Sequence, residues 1–259
     1  MKKLLITLLL LSGAGFFGSH PAICAERDTL VQVATIDALL GGLYDGVATV
    51  GSLKSRGDLG IGTFDALDGE MVVLDGRIYR VGADGRAITV PDGETTPFAA
   101  VTFFHPDREV PISAGTDLQS LIALADAAEP SPNLFYAFRL EGHFKAVRTR
   151  SVPRQRKPYR PLVEVVKDQS VFDFQDVEGV LVGFYCPPFI KGINVPGYHL
   201  HFLTADRKAG GHVLAFTVDR AVLKIDTLNR FILQLPESEG FAKVDLQRDR
   251  KSELERVEK

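Results

Sequence analysis

Between Thr35 and Tyr44 the apolar residues Ile36, Leu39, Leu40 and Leu43 recur at helical spacing, which predicts a short helix ending near Gly46. Beyond it the pattern turns to strands. Met71–Leu74, Arg77–Val81, Ala87–Val90 and Phe98–Phe104 are short apolar or alternating runs, separated by Asp75-Gly76, Asp84-Gly85 and Asp92-Gly93. Such pairs favour tight hairpin turns, so this stretch predicts a meander. Leu118, Leu121, Ile122 and Leu124 mark a helix over Thr116–Ala128, closed by Pro130 and Pro132. Further strands are predicted over Leu134–Leu140, His143–Thr149, Gly179–Tyr185, Tyr198–Thr204, His212–Val218, Ala221–Ile225 and Phe231–Gln234. Pro161–Gln169 reads as a proline-led helix. The expected class is α+β and β-rich, with mixed or antiparallel sheets and few short helices.

A faint repeat in spacing adds to this. Phe64-Asp65, Asp68 and Glu70 precede one apolar strand much as Phe172-Asp173, Asp176 and Glu178 precede another. That echo points to two related β-rich halves, residues 26–155 and 156–259. The tail from Asp245 to Lys259 is highly charged and reads as a solvated or frayed end.

The N-terminus begins Met1-Lys2-Lys3 and runs into an apolar stretch, Leu4–Phe17, too short to span a bilayer but suited to a signal-peptide core. Pro21 and the small residues after it predict cleavage after Ala25, making 1–25 a signal peptide and the mature protein exported, periplasmic or secreted. No second hydrophobic segment reaches membrane-spanning length. Cys24 leaves with the signal, so the mature chain keeps only Cys186 and forms no intramolecular disulfide. Apolar residues make up 45% of the chain, ample for a core that needs no such staple. A net charge of -3, with Lys and Arg dispersed among acidic neighbours, argues against a nucleic-acid partner.

The candidate chemistry lies in Gly-Tyr-His-Leu-His, 197–201, and Gly-Gly-His, 210–212. On a strand alternate side chains share a face, so His199 and His201 stand side by side with Leu200 turned away. The polar, Gly-rich stretch Ala205–Gly211 reads as a loop returning the chain so that His212 opens the next strand. Three of the six histidines thus converge, on strands of the C-terminal half. Three imidazoles suit zinc or another divalent first-row ion and leave coordination positions open, as catalytic sites require. A structural zinc would recruit cysteine. His-x-His on a strand also fits a cupin-like isomerase or oxygenase, although the glutamate ligand of cupins is missing, or a non-catalytic periplasmic metal-binding module.

Several motifs in order extend the picture: Gly-Ile-Gly-Thr-Phe (60–64), Leu-Asp-Gly-Glu (67–70), Val-Arg-Thr-Arg (147–150), Lys-Pro-Tyr (157–159), Val-Gly-Phe (182–184), Gly-Tyr-His-Leu-His-Phe (197–202) and Gly-Gly-His (210–212). Together they resemble the acetolactate decarboxylase family over essentially the whole mature chain. The resemblance implies a zinc-dependent carboxy-lyase that converts (S)-2-acetolactate to (R)-acetoin and carbon dioxide in acetoin and butanediol biosynthesis, with no organic cofactor, working as a homodimer. It implies zinc on His199, His201 and His212, and it matches Arg150, Glu70 and Glu258 to the family's functional arginine and two glutamates. Loss of carbon dioxide from a β-keto acid pushes an electron pair into the ketone, so an electrophile must hold an enediolate. A guanidinium suits a carboxylate or oxyanion, and one glutamate is expected to position substrate while the other delivers a proton. Thr63 is either a hydrogen-bond donor to substrate or a strand-capping residue. Assigning Glu258, with Glu253 and Glu255 close by, requires the tail to fold back over the site.

Overall fold

The structure, a computed structural model, describes residues 27–128 and 131–258; the expected signal peptide lies outside them. The elements in chain order are β1 (Thr29–Val33), α1 (Ile36–Leu40), β2 (Ala48–Thr49), α2 (Val50–Lys54), β3 (Leu59–Thr63), β4 (Glu70–Leu74), β5 (Arg77–Val81), β6 (Ala87–Thr89), β7 (Thr95–Thr96), β8 (Ala99–Thr102) and β9 (Arg108–Ile112). They continue as α3 (Leu118–Ala128), β10 (Phe135–Ser151), α4 (Leu162–Val165), β11 (Ser170–Cys186), β12 (Gly197–Thr204), β13 (Gly210–Leu228), β14 (Arg230–Gln234), α5 (Glu239–Lys243) and α6 (Lys251–Val257). The β-rich architecture with few short helices is the one the sequence predicts.

Seven strands form one sheet in the order β14-β1-β8-β3-β4-β5-β6, antiparallel except for the parallel pair β1 and β14. The second sheet runs β10-β11-β12-β13-β9, and β10 also pairs with β13, so β10, β11, β12 and β13 close on themselves. Strand periodicity explains the layering. In β4, Val72 and Leu74 enter the core between the sheets with Phe135, Val182 and Phe184, while Met71 and Val73 point to the opposite core with Val50 and Leu53. Tyr136, Phe138, Phe144, Phe202 and Phe216 fill the third core, with Leu121 of α3 against them. A fourth cluster joins α1, α4 and α6 through Leu39, Leu40, Leu162, Val165, Leu254 and Val257.

Several predicted boundaries move for physical reasons. Leu134–Leu140 and His143–Thr149 are one strand, β10, because Gly142 pairs with Gly179 on one side and Ala221 on the other. His212–Val218 and Ala221–Ile225 likewise merge in β13. β11 starts at Ser170, well before the predicted Gly179, since its first half pairs with β10 alone and carries its acids outward, Asp173 opposite Arg148 at 3.2 Å. The echoed segments differ locally: 65–67 is a 3-10 turn leading into β4, whereas 172–178 lies within β11. β9 escaped notice because it contains Pro111, which an edge strand accommodates.

The tail departs from the solvated end that its charge suggests and folds back, as the placement of Glu258 requires. Its last turn is α6, with Leu254 and Val257 buried in the helical cluster and Glu253 only 6% exposed. Leu254 and Val257 supply the apolar contact of a seven-residue helix that is too short to stand alone.

Candidate metal centre and its carboxylates

The histidines are set by strand register. His201 of β12 lies directly opposite His212 of β13, and His212 lies opposite Arg150 of β10. Directly opposed residues of an antiparallel pair share a face, so this row alone points two imidazoles and a guanidinium the same way, and His199 follows two residues along β12. The glycines before His212 belong to the strand and not, as expected, to the loop, which is confined to 205–209. A Cβ at Gly210 would lie 2.1 Å from the Phe202 carbonyl oxygen, and one at Gly211 would lie 2.6 Å from that of Arg150. They are there because β13 is squeezed between β12 and β10.

The three rings stand 4.9 to 5.3 Å apart, centroid to centroid, and their ligand nitrogens lie within 4.8 Å of one another. His201 and His212 are 1% and 3% exposed at the side chain and His199 11%. Burial first, and the Arg150 charge second, hold His199 down to about 3. His201 and His212 are also held well below the ordinary range, mainly by burial. All three are therefore neutral, the ligand form. His201 Nδ1 sits 2.7 Å from the Met71 carbonyl, which fixes that nitrogen as the donor and leaves Nε2 as a buried lone pair without a hydrogen-bond partner; His199 Nδ1 also lacks one. His199 Nε2 faces His212 Nδ1 at 3.1 Å, and the unpartnered His201 Nε2 of the same cluster fits a divalent cation, with a backbone carbonyl orienting that ring from behind.

Glu70 and Glu258 approach different histidines. Glu70 opens β4 opposite Thr63 of β3, and its Oε2 is 3.7 Å from His201 Nε2. Glu258 caps α6 and its Oε2 lies 3.9 Å from His199 Nε2 and 3.8 Å from His212 Nε2. Arg150 bridges the two approaches. Nη1 is 3.0 Å from Glu70 Oε1, Nη2 donates to the Val257 carbonyl at 3.1 Å, and Nε is buried with no partner. Burial pushes both carboxyls up to about 7; Arg150 opposes this in each, and Glu258 adds to it for Glu70.

Every residue expected at the site thus lies around one cleft, whose remaining wall includes Ile36, Leu39, Phe98, Val152, Leu162 and Val257. Thr63 lines it too, but its hydroxyl proton goes to the Gly69 carbonyl at 2.7 Å, so it secures the turn that delivers Glu70. Gly69 has φ +85, and a Cβ there would meet the Val81 carbonyl at 2.3 Å. Glu253 and Glu255 do not line the cleft. Sequence reasoning missed the carbonyls of Met71 and Val257, which no side-chain pattern reveals, and the apolar wall, whose members come from separate elements.

Residues 30–248 match the family model for alpha-acetolactate decarboxylase, so α6 lies beyond the matched span. The alpha-acetolactate decarboxylase of Methanosarcina mazei is 49% identical over 90% of this chain and 81% of its own, and that of Methylococcus capsulatus 45% identical over 92% of each. The crystal structure of the Bacillus subtilis strain 168 enzyme superposes with a TM-score of 0.87 at 40% identity, covering 89% of this chain and 99% of that one. With sequence and fold shared over nearly the full length of such relatives, the chain belongs to the alpha-acetolactate decarboxylase family.

Proposed function

We propose that this carboxy-lyase converts (S)-2-acetolactate to (R)-acetoin and carbon dioxide with a zinc ion held by His199, His201 and His212. The observation that carries the reading is the buried, neutral histidine triad with two raised carboxyls and a guanidinium around it. A divalent cation held by His199, His201 and His212 would supply an electrophile for the substrate oxygens. The chain's own groups divide the remaining work. Arg150, with Nε free and buried, binds a substrate oxygen anion in a site where water competes little. The same charge opposes the rise that burial gives Glu70 and Glu258.

Burial, which pushes the Glu258 carboxyl up, favours its protonated form, the form a proton donor needs. Glu258, 19% exposed at the side chain against 8% for Glu70, can refill from solvent and is assigned the proton delivered to the carbon that carbon dioxide leaves. Glu70, locked by Arg150, positions the substrate. The apolar wall of Ile36, Leu39 and Leu162 meets the substrate's methyl groups and excludes water.

The proposal extends to export with cleavage after Ala25 and to a homodimer. Among the described residues no helix is long and apolar enough to cross a membrane. The decisive experiment is metal analysis of the purified mature protein coupled to an acetoin assay on racemic acetolactate, repeated for H199A, H201A and H212A. One ion per chain and half-consumption of the racemate are expected, with ion and turnover lost together in each variant. Full turnover in an ion-free variant would overturn the mechanism.

A further inference from the structure

Glu258 reaches the histidines at the end of a short helix that the chain approaches through the largely exposed segment 235–249. Its position is therefore decided by what docks α6. One face of the helix is apolar, Leu254 and Val257 packing with Leu162 and Val165 of α4. Another carries Glu253, whose carboxylate is 2.9 Å from Arg250 Nη1 and 2.7 Å from Arg248 Nη2. Arg250 and Glu253 are 10% and 8% exposed at the side chain, so this is a buried pair within an exposed, charged tail. Asp37 of α1 feels the charges of Arg250, Asp249 and Glu253, and Lys191 binds Asp249 at 2.8 Å, which ties the approach to α6 to the loop ahead of β12. By contrast, Glu255 on the same helix is 54% exposed with a loose partner, Lys251, at 3.8 Å.

We propose that Glu253, held by Arg250 and Arg248, is a positioning residue for the decarboxylation, locking α6 so that the Glu258 carboxylate rests between His199 and His212. The inference rests on the assignment of Glu258 to the reaction. Removing Glu253 takes from the buried Arg250 its ion-pair partner and leaves it only the more distant charge of Asp37, a costly arrangement out of water. A seven-residue terminal helix escapes that cost by swinging away, which carries Glu258 off the histidines while both sheets stay intact. Arg150 alone cannot hold it, since it grips only the Val257 carbonyl.

The test is a double-mutant cycle on the zinc-loaded mature protein with racemic acetolactate, using E253Q, E258Q, the double variant and E255Q as the exposed control. E253Q is expected to lower kcat about 10- to 100-fold, as misplacement by an ångström does, with KM and metal content close to parental. The double variant is expected to be no slower than E258Q, because Glu253 acts through Glu258. Trypsin is expected to cut the tail of E253Q faster than that of the parent. Multiplying losses in the double variant, parental kcat in E253Q, an unchanged rate of tail cleavage, or an equal loss in E255Q would each overturn the proposal. If E253Q does not accumulate as folded protein, R248Q weakens the same carboxylate from its exposed side and enters the same cycle, with a smaller loss expected. Parental turnover in E258Q would sink the assignment of Glu258 itself, whereas a slow E258Q beside a fast E253Q removes only the latch.

Discussion

Arg150 and Glu70 meet at 3.0 Å across the interface of the two sheets, each side chain less than a tenth exposed. One guanidinium thereby fixes a carboxylate of β4 and, through the Val257 carbonyl, the end of α6. Lysine presents a point charge and no planar fork, so R150K cannot hold both. Turnover is expected to fall at least about 100-fold, the cost of losing a preorganised oxyanion donor, with the histidines still able to bind metal. Acetoin formation and metal content measured on the same sample check this.

Glu258→Gln keeps the shape of the side chain and removes its proton chemistry. Turnover is expected to drop by about 10²- to 10⁴-fold, the range for a lost general acid, while the bound ion stays. Truncation before Lys251 should do the same and also lower the melting temperature, since Leu254 and Val257 no longer cover Leu162 and Val165. An unimpaired truncated enzyme would return the tail to the role of a solvated end.

Thr63 separates a binding role from a supporting one. T63V leaves the buried Gly69 carbonyl without its hydroxyl donor, at a cost of about 1–3 kcal/mol in stability. T63S should restore stability and activity together. A T63V enzyme of parental stability but poor KM would instead assign the hydroxyl to substrate.

Asp226 offers a pH test remote from the histidines. It is fully buried, Oδ2 accepts from the His105 backbone N–H at 2.8 Å, and Oδ1 has no partner. Burial pushes the carboxyl up to about 7, the nearby Asp107, Asp28 and Asp58 add to the rise, and the His105 contact opposes it. A folded-state value raised above the unfolded one stabilises the fold when protonated. That contribution is complete below about 4 and is lost as pH rises through about 7. D226N, which keeps an acceptor and cannot ionise, should melt higher than the parent at pH 8 and alike at pH 4, by roughly 2–4 °C for each kcal/mol. Equal melting curves at pH 8 would refute the assignment.

The histidines were legible in the sequence because strand alternation is a property of the backbone: His-x-His must share a face whatever surrounds it. The purpose of Gly210 and Gly211 was not, since their crowding comes from the backbone of Phe202, across the hairpin, and of Arg150, far back in the chain. Arg148 and Arg150 show the same limit. They are two residues apart in one strand, yet Arg148 is 57% exposed at the side chain and Arg150 only 6%, with a shift in the pairing register to β13 between Arg148 and Thr149. Spacing cannot anticipate such an irregularity. The tail was legible only in part: placing Glu258 at the site requires it to fold back, but the contacts that dock it were hidden. Charged residues dominate 245–259, and the burial of Glu253 depends on arginines that look solvated until the chain is folded.

The pairing between β12 and β13 spans only His201 with His212, Phe202 with Gly211 and Leu203 with Gly210. That makes it the shortest seam of the closed four-stranded ring, and two of the proposed ligands sit on it. An ion held there would be a clasp at the weakest stitch of the fabric: closing the ring would bring the ligands together, and filling the site would keep the ring from unzipping. Occupancy and mechanical integrity would then be one quantity, so a chain starved of its ion would fray first where its chemistry resides.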